Sequence, residues 1–162
     1  MLFTNLTFSQ DIMDNMYQKY AGKNGFTSIN IGKGLLEFVS SLDNDKNAEE
    51  VTDKISDLKI LVANQNEGAD VANFSNEIKS LIDKNAYLNL MEVIDGREKV
   101  NFYAKKADNM IVHLVMIATG SEEEVLMSIK GQFSKEDLVK IGKDSNCSSE
   151  LSKLSLLNDL EE

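Results

Sequence analysis

Residues 87–142 read YLNLMEVIDGREKVNFYAKKADNMIVHLVMIATGSEEEVLMSIKGQFSKEDLVKIG. This pattern predicts four short strands joined by tight turns and closed by a capped helix. Asp95-Gly96 separates two alternating runs, 90–94 and 97–105. Asp-Gly suits a type I′ hairpin, whose two central residues both need φ > 0. Asp108-Asn109 marks a second turn and Thr119-Gly120-Ser121 a third. Val100, Phe102 and Ala104 face one way, while Lys99, Asn101, Tyr103 and Lys105 face the other. Residues 110–118 are apolar at nearly every position except His113, as in a central strand covered on both sides. Val125, Met127 and Ile129 share one face, and Leu126, Ser128 and Lys130 the opposite one. Ser134 and Asp137 form a carboxylate version of the capping box, with Phe133 and Leu138 placed for a hydrophobic staple. Gly142 supplies the helix stop.

The preceding half is more mixed. Ile12, Met16 and Tyr20 recur at helical spacing, with Met13 and Tyr17 alongside. Residues 26–31 alternate as a strand with Thr27, Ile29 and Ile31 on one face. Leu35, Leu36, Val39 and Leu42 give a second helix over 32–42, and 48–55 a short third. Residues 58–63 form another strand. Val71, Phe74, Ile78, Leu81 and Ile82 line one side of a helix over 71–82. At the far end Leu151, Leu154, Leu157 and Leu160 lie on one side of a final amphipathic helix. The predicted fold is a two-layer α+β domain: helices pack on one mostly antiparallel sheet of up to six strands, ending in a four-strand meander. The predicted division is a tail over 1–10, the α+β domain over 11–143 and the amphipathic helix over 144–162.

Composition narrows the function classes. The 162 residues carry a formal net charge of −10 with no cluster of Lys or Arg. Nucleic acid and anionic membrane surfaces would meet a repulsive field. No apolar run reaches the ~18 residues of a transmembrane helix. The single Cys147 excludes an internal disulfide and a thiolate metal site. Residues 1–10, MLFTNLTFSQ, are uncharged and half apolar. They read as the tail of a secretory segment with its cleavage zone near Ser9-Gln10, or as a plain tail. The first reading places the protein in the periplasm or at the outer membrane, the second in the cytoplasm.

Motifs with chemical meaning are few. Gly32-Lys33-Gly34 sits between strand and helix like a phosphate loop, but the glycine loop is too short and Leu35 replaces the Ser/Thr. Asp43-Asn44-Asp45 opens like a calcium loop, but Ala48 holds the turn position and Lys54 the bidentate position. Glu122-Glu123-Glu124 reads as a solvated turn protecting a sheet edge. Cys147 has no nearby His to activate it. No cofactor, metal site or catalytic set is predicted. If apolar matching pairs Phe102 with Leu114 and Leu114 with Met127, the opposite face carries Tyr103, His113 and Ser128 in one row. That row is the one candidate ligand site, and His113 would bring titration near neutral pH. Ile111, Val115 and Leu126 on the same face favour a covered, structural His113. Glu92 faces that side too, paired with Lys99.

Three phrases carry a family likeness: YQKYAGKNGFTSINI (17–31), YLNLME (87–92) and NFYAKKADNMIVHLVMIATGSEEEVLMSIKG (101–131), followed by the capped helix. Together they resemble the Bacteroidetes family known as domain of unknown function 4252. The resemblance spans 11–142 and implies an exported envelope protein of α+β fold, with no assigned activity or functional residues to carry over. The family's usual company implies a role beside envelope-stress regulators. His113 is a departure, since an acidic residue is common there, so a His-dependent activity would not be shared by the family. The combined expectation is a non-catalytic binding or interaction module whose partner is an envelope protein or a small ligand. The rival is a small-molecule enzyme using the Tyr103–His113–Ser128 row. A third reading has the protein dock through residues 151–160.

Overall fold

A computed structural model describes residues 11–36, 53–84, 87–144 and 149–161. Its elements in chain order begin with helix α1 (Ile12–Tyr20), strands β1 (Phe26–Gly32) and β2 (Ile55–Asn64), and a 3-10 turn (Gln65–Glu67). Helix α2 (Val71–Lys84) follows, then strands β3 (Leu88–Asp95), β4 (Glu98–Ala107), β5 (Met110–Thr119) and β6 (Glu123–Phe133). Helices α3 (Lys135–Asp144) and α4 (Ser149–Ser152) and a 3-10 segment (Lys153–Glu161) complete it. All six strands join one open antiparallel sheet in the order β1-β2-β6-β5-β4-β3. The α+β class and the four-strand meander are as the alternation predicts.

Helices cover both faces of this sheet, so there are three layers where two are expected. Phe102, Leu114, Met116, Met127, Ile129 and Phe133 pack under α3, α4 and the 3-10 segment through Leu138, Leu151, Leu154 and Leu157. Leu61, Val115, Ile117 and Leu126 pack under α1 and α2 through Ile12, Met13, Met16, Phe74 and Ile78. The reason lies in the central strands. β5 is apolar on both faces, and each face needs its own cover. Tyr20, Phe26 and Phe74 clasp the second core in edge and tilted contacts 4.7–5.3 Å between ring centres.

The hairpins differ from the predicted register, and the turns explain how. Asp95 pairs with Glu98, so the two-residue loop is Gly96-Arg97, with φ +60° at Gly96 alone. That is the type II′ requirement and not the type I′ one. Asp108-Asn109 turns as expected, with Asp108 at φ +52° between paired Ala107 and Met110. A bulge then interrupts β5 between Ile111 and His113. It shifts the β4–β5 pairing by one residue, leaving Phe102 opposite Met116 and Leu114 opposite Ala104, while Leu114 meets Ile129 in the register that starts from Thr119 and Glu124 at the next turn. It also turns Ile111 into the first core with Leu114, away from the His113 face where plain alternation puts it.

Other predicted features sort by what surrounds them. Residue 55 begins a strand and does not end a helix. The capping box forms in both directions: Ser134 N–H donates to Asp137 Oδ2 at 2.8 Å and Asp137 N–H to Ser134 Oγ at 3.2 Å. Gly142 is not the stop, since α3 runs on to Asp144. Its missing side chain admits the backbone of Leu154 and Ser155, where an added Cβ would meet Ser155 N at 2.3 Å. The final segment is largely 3-10, whose threefold repeat stacks Leu151, Leu154 and Leu157 on one side. The side chain of Leu160, the calcium-like run 43–47, the helix reading over 48–52, Cys147 and the tail 1–10 lie outside the described residues.

Candidate functional site

The predicted row does not form as written. Tyr103 stands opposite Val115, which stands opposite Ser128, while His113 stands between Lys105 and Lys130. The register differs from the predicted one by two residues, one of them from the bulge, which keeps Tyr103, His113 and Ser128 on one face but separates Tyr103 from His113. His113 and Ser128 still meet diagonally, Nε2 to Oγ at 2.7 Å. The other ring nitrogen, Nδ1, meets Tyr87 Oη at 2.7 Å. Tyr87 precedes β3 and carried no local signal, because its partner is remote in sequence.

Around this trio lies a dense charged shell. Asp11 caps α1 by accepting from Asp14 N–H at 2.8 Å and also pairs with Lys130. Asp14 lies 3.0 Å from Lys59 and 3.4 Å from Lys130. Lys105 sits over the Tyr87 ring, 4.8 Å from its centre. His113 is 5% exposed. Burial lowers its pKa to about 4, with Asp11 opposing and Lys130 and Lys105 assisting. The ring is therefore neutral near pH 7, accepting one bond and donating one. Burial likewise pushes the Tyr87 phenol up. Both ring nitrogens are already engaged, so this cluster ties α1 to the centre of the sheet as a satisfied polar core.

Tyr103 belongs to a different place on the same face. Between α2 and strands β4–β6 runs a cleft of about 310 Å³, near the lower end for small-molecule pockets. Ile78 and Ile82 of α2 and Ile117 of β5 make its apolar wall, and Tyr103, Asn101 and Glu124 are among its polar residues. Asn101 donates through Nδ2 to Glu92 Oε2 at 2.8 Å, and Glu92 pairs with Lys99 at 2.7 Å. The predicted Glu92–Lys99 pair is thus real, although Glu92 stands directly opposite Asn101.

Glu124 is the unusual member. It is not on a solvated edge, since β6 lies between β2 and β5. Its neighbours are solvated as predicted: Glu122 accepts from Asn66 and Glu123 from Asn64, each at 2.7 Å. Glu124 points inward and is 1% exposed. Burial raises its pKa, opposed by a hydrogen bond from Ser75 and by the charge of Lys79. Among the described residues two buried carboxylate oxygens lack a hydrogen-bond partner, Asp57 Oδ2 and Glu124 Oε2. Asp57 Oδ2 has the Lys59 ammonium 3.4 Å away; no such ion pair is found for Glu124 among the described residues. An orphaned buried acceptor costs on the order of 1–3 kcal/mol and calls for an explanation. Glu124, Ser75 and Thr119 also line a second opening of about 340 Å³ beside the start of α2. The carboxyl thus sits in the wall common to two clefts.

A signal for Glu124 was present. Extending the alternation of Leu126, Ser128 and Lys130 back by two places it on the inner face; the run of three glutamates concealed that parity. Among the described residues no group of three or more His, Cys, Asp or Glu side chains could hold a metal ion. No described helix is long and apolar enough to cross a membrane.

The comparisons with known proteins agree with the likeness carried by the three phrases. No curated protein and no solved structure matches the chain. Residues 17–141 match the family described as Domain of unknown function (DUF4252), a span that runs from α1 into α3 and takes in the whole sheet. The chain belongs to the DUF4252 family.

Proposed function

We propose that this protein is a non-catalytic binding module of the cell envelope, taking a small ligand into the cleft between α2 and the sheet. One observation carries the binding reading: a carboxylate buried on that cleft's wall has an oxygen with no partner. Folding leaves such a group unsatisfied only at a cost, and a bound donor would remove it. The apolar wall of Ile78, Ile82 and Ile117 offers a ligand body somewhere to rest. The envelope setting is supported by the uncharged, half-apolar residues 1–10 and by the family resemblance. The enzyme reading loses its main support, because Tyr103 stands apart from His113 and both ring nitrogens of His113 are occupied.

Thermal-shift titration against fractionated envelope extract tests the binding, with amide shifts mapping the contact. The expected result is a Tm rise with shifts at residues 78–83, 101–103 and 117–124, abolished in Glu124→Gln. Extracts that never move Tm and no co-purifying ligand would remove the reading. Fractionation of the native host, with mass measurement of the mature N-terminus, tests the location separately. Recovery from the cytoplasm with residues 1–10 intact would sink the envelope assignment.

A further inference from the structure

We infer that the ligand held at Glu124 is an amphipathic amine: a protonated primary amine on a short apolar body. This rests on the binding reading and names the chemistry of its occupant. Glu124 Oε2 lacks a donor, so the ligand's head must supply one. A carboxylate held away from water gains most from a charged donor, because the charge-assisted bond also offsets the cost of keeping it ionised. An alcohol or amide would satisfy the lone pair and leave that ionisation cost in place.

The rest of the cleft fits the same occupant. Ile78, Ile82 and Ile117 line it and accept a chain of a few methylenes. Of the two lysines that line the cleft, one is already paired and the other faces the Glu124 charge. Lys99 is held by Glu92 at 2.7 Å, and Lys79 is an exposed side chain whose charge already acts on Glu124. Asp83 lines the cleft beside Glu124, Lys99 is already paired, and the whole chain carries −10, so the long-range field favours the approach of a cation. Tyr103 lines the same cleft and offers aromatic surface to the ligand's body.

The test uses the full chain and three probes of equal length: hexylammonium, hexanol and hexanoate. The readouts are the Ile78, Ile82 and Ile117 methyl resonances, Tm and the carboxyl 13C titration of Glu124. Hexylammonium is expected to move the three methyls saturably and to lower the Glu124 titration midpoint. At tenfold above its Kd it should raise Tm by roughly 3–6 °C. Its affinity should exceed that of hexanol and hexanoate by roughly tenfold or more, and Glu124→Gln should erase that margin. Hexanol or hexanoate binding as tightly as hexylammonium would overturn the amine assignment while leaving the cleft a binding site. If no probe moves the methyls of the wild-type chain, the amine assignment and the binding reading both fall. The comparison among probes needs no variant, so a Glu124→Gln chain that fails to fold leaves it decisive.

Discussion

At the scale of single residues, two buried titratable groups carry opposite pH signatures. His113 has a folded pKa of about 4 against 6.5 when free. Between those values the unfolded chain binds the extra proton, so stability falls as pH drops through that window. The full loss is roughly 3 kcal/mol at 1.36 kcal/mol per unit. Asp11 has its pKa lowered below 3.8, chiefly by Lys130 acting against burial, so its own loss comes at lower pH. His113→Gln should be less stable than wild type at pH 7.5, and the two Tm curves should converge toward pH 4.5. Parallel curves would show that His113 is not the group responsible. Glu124 behaves in the reverse sense. Its raised pKa means the folded chain binds the extra proton above 4.5, so stability falls as pH rises through the folded pKa. Glu124→Gln should therefore gain on wild type with rising pH, by about 1–3 kcal/mol at pH 8, and match it near pH 4. Urea melts across pH 4–8 check both variants. His113 stood out from the sequence as the one polar residue in an apolar strand. Of its two partners Ser128 was in the predicted row, while Tyr87 was not, because it lies before β3 and far from His113 in sequence; the bulge beside His113, which no spacing rule announces, separates it from Tyr103.

At the scale of elements, the capped helix was the most legible feature. Its signals are local, lying within four residues of Ser134. What the sequence concealed is that Asp137 has a second duty. It is 2% exposed and also takes the Lys54 ammonium at 2.6 Å, joining the start of β2 to the helix cap. Ser134→Ala should cost about 1 kcal/mol, the usual loss of an N-cap side chain. Asp137→Ala removes the cap partner and strands Lys54, so roughly 2–3 kcal/mol is expected by urea melts. Equal losses for the two would show the Lys54 contact to be idle. Gly142 was read as a terminator because glycine often ends helices; its close approach to Ser155 involves a segment that local pattern could not place. Gly142→Ala should lower Tm by roughly 3–8 °C through about 1–3 kcal/mol of overpacking. It should also speed amide exchange over 151–157. Unchanged exchange there would mean that the 3-10 segment is not seated against α3.

At the scale of the whole molecule, the strand alternation revealed the two faces of the sheet but not the number of layers. Amphipathic stripes say that a helix is buried on one side; they do not say which face of the sheet it covers. The consequence for the final segment is testable. Leu151, Leu154 and Leu157 are buried in the first core, and burying three leucines contributes about 5–8 kcal/mol, comparable to the whole stability of a typical domain. A chain ending at residue 148 should lose its cooperative melt and bind a hydrophobic dye. A folded, truncated chain that loses only a partner would instead make this segment a docking element. The position of β2 has a kinetic meaning. Strands β3 to β6 follow one another in sequence, while β2 reaches β6 across the whole of α2 and the meander, pairing Ile60 with Met127. Closing that long loop is the late, entropically costly step. Met116→Ala, inside the meander, should then mainly slow refolding, whereas Leu61→Ala, on β2, should mainly speed unfolding. Stopped-flow chevrons with the reverse assignment would mean that β2 docks on β6 before the meander has closed.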